Sequence, residues 1–179
     1  MAKTIVRGGS INMVGKQSVG ILVYRRAGDS VEVFLVHPGG PFWAKKDKWG
    51  IPKGEQKDGE DLLEVAKREF AEEVGSPAPS GDLIDLGEVR RSDGKIVKAW
   101  AIEGDLDSKN IKSNLTKLEW PPKSGKQIEI PEVDKAQWIR LDEAMDKIHV
   151  YQQEYIERLA TALSIKIQLT VQPEQPSLF

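Results

Sequence analysis

Glu69, Glu72 and Glu73 are the residues around which chemistry can be organised. A helix advances about 100° per residue, so positions i, i+3 and i+4 share a face and the three carboxylates form one patch. Carboxylates this close repel one another and raise each other's pKa unless a cation neutralises them. Oxygen-only donors of this kind suit Mg²⁺ or Mn²⁺, hard ions that keep waters and bridge to phosphates. Arg68, beside them, can pair with Glu72 or hold a carboxylate in orientation. A solvated, charged helix face is the plainer alternative. It leaves the glycine loop that precedes the helix without a reason.

That loop and helix are what must position the acids. Asp58-Gly59 predicts a turn, Asp58 or Glu60 the opening of the helix, Val74 its last residue and Gly75 its stop. Leu63, Ala66, Phe70 and Val74 then fall on one apolar stripe that faces a core.

Taken together, Gly54-Glu-Gln-Lys-Asp-Gly-Glu60 and Arg68-Glu69-Phe70-Ala71-Glu72-Glu73-Val74-Gly75 resemble the Nudix box. This is the signature of the Nudix hydrolases, which cleave pyrophosphate linkages in nucleoside diphosphates joined to another moiety. The last box position, usually aliphatic, is Ser76, which weakens a packing contact but removes no catalytic group. The lead Trp49-Gly50-Ile51-Pro52-Lys53-Gly54 is similar to that of members acting on dinucleoside polyphosphates.

The resemblance spans about residues 18 to 165 and implies an α/β fold, an α/β/α sandwich around a mixed β-sheet. It implies that Glu69, Glu72 and Glu73 hold Mg²⁺ (or Mn²⁺) with the Gly54 carbonyl, and that Lys53 faces the phosphates. Glu132, followed by Trp138 and a Leu141-Asp142-Glu143-Ala144 helix start, matches a glutamate that binds a further metal or acts as base. Glu119 and Glu129 are its rivals, and all three could equally be solvated loop acids. Catalysis would then rest on Glu72, Glu73, Glu132 and Arg68, with Glu60 tying loop to helix. The implied reaction is hydrolysis of a phosphoanhydride in a nucleotide polyphosphate, preferably a dinucleoside polyphosphate such as diadenosine tetra- to hexaphosphate. The alternatives are a nucleoside-triphosphate pyrophosphohydrolase, a nucleotide sensor that does not cleave, and RNA cap removal.

The loop from His37 to Lys48 holds prolines and glycines that oppose regular structure, and it sets Phe42 and Trp43 beside Lys45, Lys46 and Lys48. An aromatic next to cations suits a nucleobase above a polyphosphate, which makes Trp43 and Lys45 candidates for substrate binding. The same aromatics could simply cap the core, the favoured reading for Phe42. Arg25-Arg26 could contact phosphate or be a charged strand end. Trp120, Lys123 and Lys126 lie in a second irregular stretch, 104 to 126, with a short helix expected near Ser108–Ile111.

The other elements follow from pattern. Val19–Tyr24 and Val31–Val36 read as a hairpin across Gly28-Asp29, and Leu83–Val89 and Ile96–Ile102 as another across Asp93-Gly94. Trp49–Glu55 reads as a short strand and Ala136–Leu141 as a further one. A packed amphipathic helix is expected over Tyr151–Leu169. A flexible lead-in over 1–17, one domain over 18–170 and a frayed tail over 171–179 complete the organisation.

Composition bounds the rest. With 179 residues, 39% hydrophobic, and a net charge of -2, the chain suits one cored domain rather than a general nucleic-acid or membrane-surface binder. There is no cysteine, which excludes disulfides, zinc–thiolate sites and thiol catalysis. His37 and His149 are too few for a histidine-rich metal site. No long apolar run appears, so a cytoplasmic protein with a small-molecule nucleotide substrate is expected, without membrane or nucleic-acid partners. Nothing in the pattern signals an oligomeric state.

Overall fold

The computed structural model describes residues 17–167. Apart from Gln17, the lead-in expected over 1–17 lies outside the described residues, as does the tail expected over 171–179. The apolar, β-branched runs form β1 (Ser18–Ala27) and β2 (Ser30–Pro38), paired antiparallel across the Gly28-Asp29 turn. Residues Ser18 to Tyr24 of β1 are buried in unbroken succession. A strand covered on both faces reads this way, whereas one wet face would give alternation.

Then follow β3 (Lys53–Glu55), α1 (Leu62–Val74), β4 (Leu83–Arg90), β5 (Ile96–Glu103), β6 (Leu115–Glu119), β7 (Gln127–Pro131), β8 (Val133–Arg140), α2 (Leu141–Lys147) and α3 (Gln153–Ala162). The main sheet runs β4-β5-β1-β2-β8, with β3 also paired to β1. The β1–β5 pair is parallel and the others are antiparallel, so the sheet is mixed. On one face Val65, Ala66, Phe70 and Val74 of α1 pack on Val19, Ile21, Val23 and Phe34. On the other, α2 and α3 pack on Leu22, Val33 and Leu35. This is the α/β/α sandwich.

One topological detail makes room for a site. With β5 along one edge of β1, the other edge is shared. Residues Val23–Ala27 pair with β2, and Ser18–Gly20 pair with β3. The exchange falls at Ile21, whose N–H donates to the Pro52 carbonyl. β2 and β3 therefore diverge, and the gap between them lies beside the N-terminal half of β1.

Five expectations are revised. α1 opens at Asp61, whose carboxylate accepts from the Leu63 and Glu64 N–H groups; Glu60 is drawn instead to the Lys57 N–H and to Arg68. Val65 takes the buried place expected for Leu63, which is half-buried. α3 stops at Ala162 rather than Leu169, because Ser164 turns left-handed (φ 56). There the Ser164 and Ile165 N–H groups donate back to the Thr161 and Ala160 carbonyls, a Schellman closure. Finally, β6 and β7 form a separate two-stranded ribbon within what reads as irregular sequence, and Ser108–Ile111 is turn rather than helix. Among the described residues no helix is long and apolar enough to cross a membrane.

Candidate active site

Gly75 ends α1 with φ 83, a conformation that favours glycine, and its N–H closes on the Ala71 carbonyl. The helix thus presents Glu69, Glu72 and Glu73 towards the divergence of β2 and β3. β3 meets it there. The Lys53 N–H donates to Glu73 Oε2 at 3.2 Å, and the Glu69 carboxyl group lies so close over Gly54 that a Cβ at that position would overlap it. Gly54 is therefore needed for approach, not for a turn. Arg68 reaches across the acids. Its guanidinium bonds Glu60 and lies 3.1 Å from Glu69 Oε1 and 3.9 Å from Glu72 Oε1. Those bonds, Glu60's first, hold the guanidinium pKa up and the Glu60 carboxyl below its usual range.

Glu132 faces this helix from between β7 and β8. Its N–H donates to the Asn114 carbonyl, its carbonyl accepts from Gly39 N–H, and Asn114 N–H donates to the Glu72 carbonyl. Lys112 N–H similarly satisfies the Val74 carbonyl at the helix end. Burial pushes the Glu132 carboxyl up, and the charges of Glu69 and Glu72 add to it. Glu73 is pushed up to about 8, first by burial; Lys53 opposes this, while Glu132 and Glu69 reinforce it. Neighbouring acids contribute to both shifts, which marks Glu73 and Glu132 as parts of one acid cluster. Glu119 accepts from the Gly125 N–H within the ribbon turn, and Glu129 is exposed on the ribbon, so neither shares this setting.

Glu73, Glu132 and Lys53 line one cavity of about 120 Å³, together with Val133, His149 and the buried Gln152. Larger hollows lie elsewhere, about 210 Å³ beside Asp29 and Arg140 and about 360 Å³ beneath Pro77 and Pro79. The acids are not there, so chemistry rather than size locates the site. Carboxylate and carbonyl oxygens alone, in surplus over Arg68 and Lys53, make a donor set that fits a hard divalent cation. Among the described residues no three acids already converge on a single point, since Arg68 draws Glu69 and Lys53 N–H draws Glu73.

The other candidates divide. Trp43 joins the site through its neighbour: its ring meets that of His149 at 5.2 Å and 79°. Lys45 is exposed on the same loop. Phe42 does not cap the core. It is 55% exposed, with Lys46 Nζ 3.2 Å from its ring centre. Arg25 is not brought to the site. It lies where β1 pairs with β2 rather than β3, bonded to Glu32 and Asp105 and stacked 4.2 Å over Trp138. Trp120, Lys123 and Lys126 sit at the ribbon tip. His149, Tyr151 and Gln152 were not singled out by pattern. A lone histidine after a short helix carries no signal, and only the fold brings it to the cavity.

A model of the NUDIX domain family matches residues 15–159. No curated protein matches the chain. Among solved structures, a C. elegans Ap4A hydrolase in a binary complex is similar, with a TM-score of 0.59 and 19% identity over 83% of this chain and 98% of that one. The NUDIX domain of Shewanella oneidensis NrtR, complexed with ADP ribose, has a TM-score of 0.58 and 17% identity over 82% and 87%. A MutT protein from Methanosarcina mazei Go1 has a TM-score of 0.55 and 22% identity over 83% and 94%.

Proposed function

This chain belongs to the Nudix family, and from that premise, as a pyrophosphohydrolase of nucleotide-linked substrates, we propose that it hydrolyses a phosphoanhydride bond in a nucleotide polyphosphate, with dinucleoside polyphosphates preferred. The observation that carries this reading is the cavity in which Glu73, Glu132 and Lys53 meet beside the remaining box acids. Nudix hydrolases generally use a divalent metal. Here Glu69, Glu72, Glu73 and the Gly54 carbonyl would hold Mg²⁺ or Mn²⁺, which when bound would offset charge on the phosphates and leaving group.

The protein's own groups supply the rest. Lys53 pairs with the phosphate chain, and Arg68 keeps Glu69 turned towards Gly54. A carboxylate whose pKa is raised towards neutrality suits general base work, and Glu132 or Glu73 takes the proton from the attacking water. The water oxygen bonds to phosphorus as the anhydride P–O bond breaks, and the departing phosphate carries away the electron pair.

The dinucleotide preference draws on the lead before Gly54 and on the likeness to a protein named as an Ap4A hydrolase. A nucleoside-triphosphate pyrophosphohydrolase is the second reading, in line with the likeness to a MutT protein. The test is a product-mass panel with Mg²⁺ over diadenosine tetra- to hexaphosphate, ordinary and oxidised nucleoside triphosphates, nucleotide sugars and capped RNA, with Glu73→Gln alongside. Turnover of dinucleotides with ATP among the products supports the reading. Triphosphates alone giving monophosphate and pyrophosphate promotes the second. Tight binding without turnover of any substrate makes the chain a sensor.

A further inference from the structure

Three half-buried rings adjoin one another, and the middle one, His149, lines the cavity that holds Glu73 and Glu132. Trp43 meets His149 edge-on at 5.2 Å, and His149 stacks on Tyr151 at 5.9 Å with 23° between planes. Trp43 belongs to no core cluster of the described residues, whereas Tyr151 packs against one. Yet the assembly is anchored. The His149 N–H donates to the Trp49 carbonyl, and buried Gln152 accepts from Ile51 N–H while donating to the Tyr151 hydroxyl. These bonds fix His149 and Tyr151 in place, with His149 sharing the cavity of Lys53 and Glu73.

Exposed apolar surface continues the patch. Phe42 meets Trp43 edge-on at 4.9 Å, and Val150, beside His149, is 73% exposed. The Arg91 guanidinium lies 5.6 Å from the Tyr151 ring centre. No hydrogen bond to either ring nitrogen of His149 is found among the described residues. Burial, and then the charges of Lys53, Lys48, Arg91 and His37, push its pKa down to about 4. At neutral pH the ring is therefore uncharged, with one donor and one acceptor nitrogen and a face suited to stacking.

Resting on the hydrolase reading above, we propose that His149, flanked by Trp43 and Tyr151, determines specificity by receiving the base of the nucleotide while its phosphates run past Lys53 to Glu73 and Glu132. The site selects substrates that carry an aromatic base over bare polyphosphates, because stacking tolerates any base but requires one.

Two measurements test this. The first is proton NMR of the metal-free protein, where only two histidines contribute imidazole signals and His149→Ala identifies the relevant one. ATP is expected to move the His149 ring protons upfield by ring current, whereas inorganic tripolyphosphate is not. Equal shifts with both ligands, or no shift with ATP under saturating phosphorus-31 changes, would overturn the proposal. The second is steady-state kinetics. His149→Ala should raise KM for the nucleotide by about 5- to 150-fold, the range of single base–aromatic stacks, and by more than it lowers kcat. His149→Phe, which keeps a stacking ring, should restore most of that loss; failure of rescue in a folded variant overturns the proposal. Loss of turnover on every nucleotide with the ATP shift retained sinks the hydrolase reading and leaves base recognition standing.

Discussion

Glu69, Glu72 and Glu73 sit on one helix, spaced by its own period and entered through one glycine. Glu132, which faces them, comes from the root of a ribbon much later in the chain. It is held by main-chain bonds to Asn114 and Gly39, with Asn114 in turn bonded to the Glu72 carbonyl. The first limb is local: its residue types and spacings are the geometry. The second is assembled by tertiary bonds between backbone groups, which any residue could supply. A helix-borne limb should therefore lose function through its side chains, and the assembled limb through its supports.

The largest effect is expected at the first limb. Glu73→Gln keeps the volume and the acceptor for the Lys53 N–H but removes the charge, and kcat should fall by about 10²- to 10⁴-fold with little change in folding. An unchanged rate would remove this helix from the mechanism. The same variant gives a pH test on chelator-treated protein. Native Glu73 is pushed up to about 8 from 4.5. Between those values the folded chain holds a proton that the unfolded chain releases, so stability falls as pH rises through that window. Thermal melts should show this decline in the wild type and a flatter profile in Glu73→Gln.

Next comes Gly54→Ala. Its backbone is not in the left-handed region, so strain is not the cause of any effect. The new Cβ displaces the Glu69 carboxyl group, a flexible terminus that can move at little cost to stability. Activity should drop by up to about 10²-fold, the scale of a ~1 Å misplacement, while the Tm barely changes. Equal losses of Tm and activity would mean that Gly54 serves the fold rather than the acid.

The contrast explains what could be read from the chain alone. The helix, its stop at Gly75, both long hairpins and the box acids follow from local chemistry. So do the two packed faces of β1, through its unbroken apolar run. The ribbon does not. Leu115–Glu119 and Gln127–Pro131 pair only with each other and bury no side chain fully; Leu115–Glu119 shows no strict apolar alternation, and the Ile128/Ile130 alternation of its partner is too short to stand out. The helix opening is ambiguous locally because Asp58, Glu60 and Asp61 all carry carboxylates, and the structure decides by drawing Glu60 to the Lys57 N–H and Arg68 while Asp61 accepts from the Leu63 and Glu64 N–H groups. His149 was invisible for a deeper reason. Its position is set by α2, Trp49 and Gln152 together, and no local window contains all three.

A smaller effect sharpens the comparison at the second limb. Ser113 Oγ accepts from the Val133 N–H at 3.0 Å, next to the Asn114–Glu132 bond. Ser113→Ala leaves that N–H without its partner, a cost of about 1–2 kcal/mol, and loosens the segment carrying Glu132. We expect kcat to fall by about 10-fold, well short of the 10²-fold of a full misplacement, with Ser113→Thr restoring it. A supporting role predicts that loss without any change in side-chain chemistry at Glu132. Wild-type kinetics alongside a lowered Tm would show that the bond only stabilises.

Arg25→Ala should give the smallest effect, and it separates position from charge. Arg25 and Lys53 are both cations on strands of the same sheet, and pattern alone offers either as a phosphate contact. Arg25 is already engaged by Glu32, Asp105 and the Trp138 ring at the end of β1 paired with β2; Lys53 lines the acid cavity on the strand that replaces β2. Removing Arg25 should lower the Tm by about 2–4 °C, the shift of a modest surface loss in a chain of this size, and leave KM unchanged. Lys53→Ala should raise KM with little effect on the Tm. If the two variants exchanged these phenotypes, the phosphates would run along the opposite end of β1 and the divergence of β2 and β3 would not be the site.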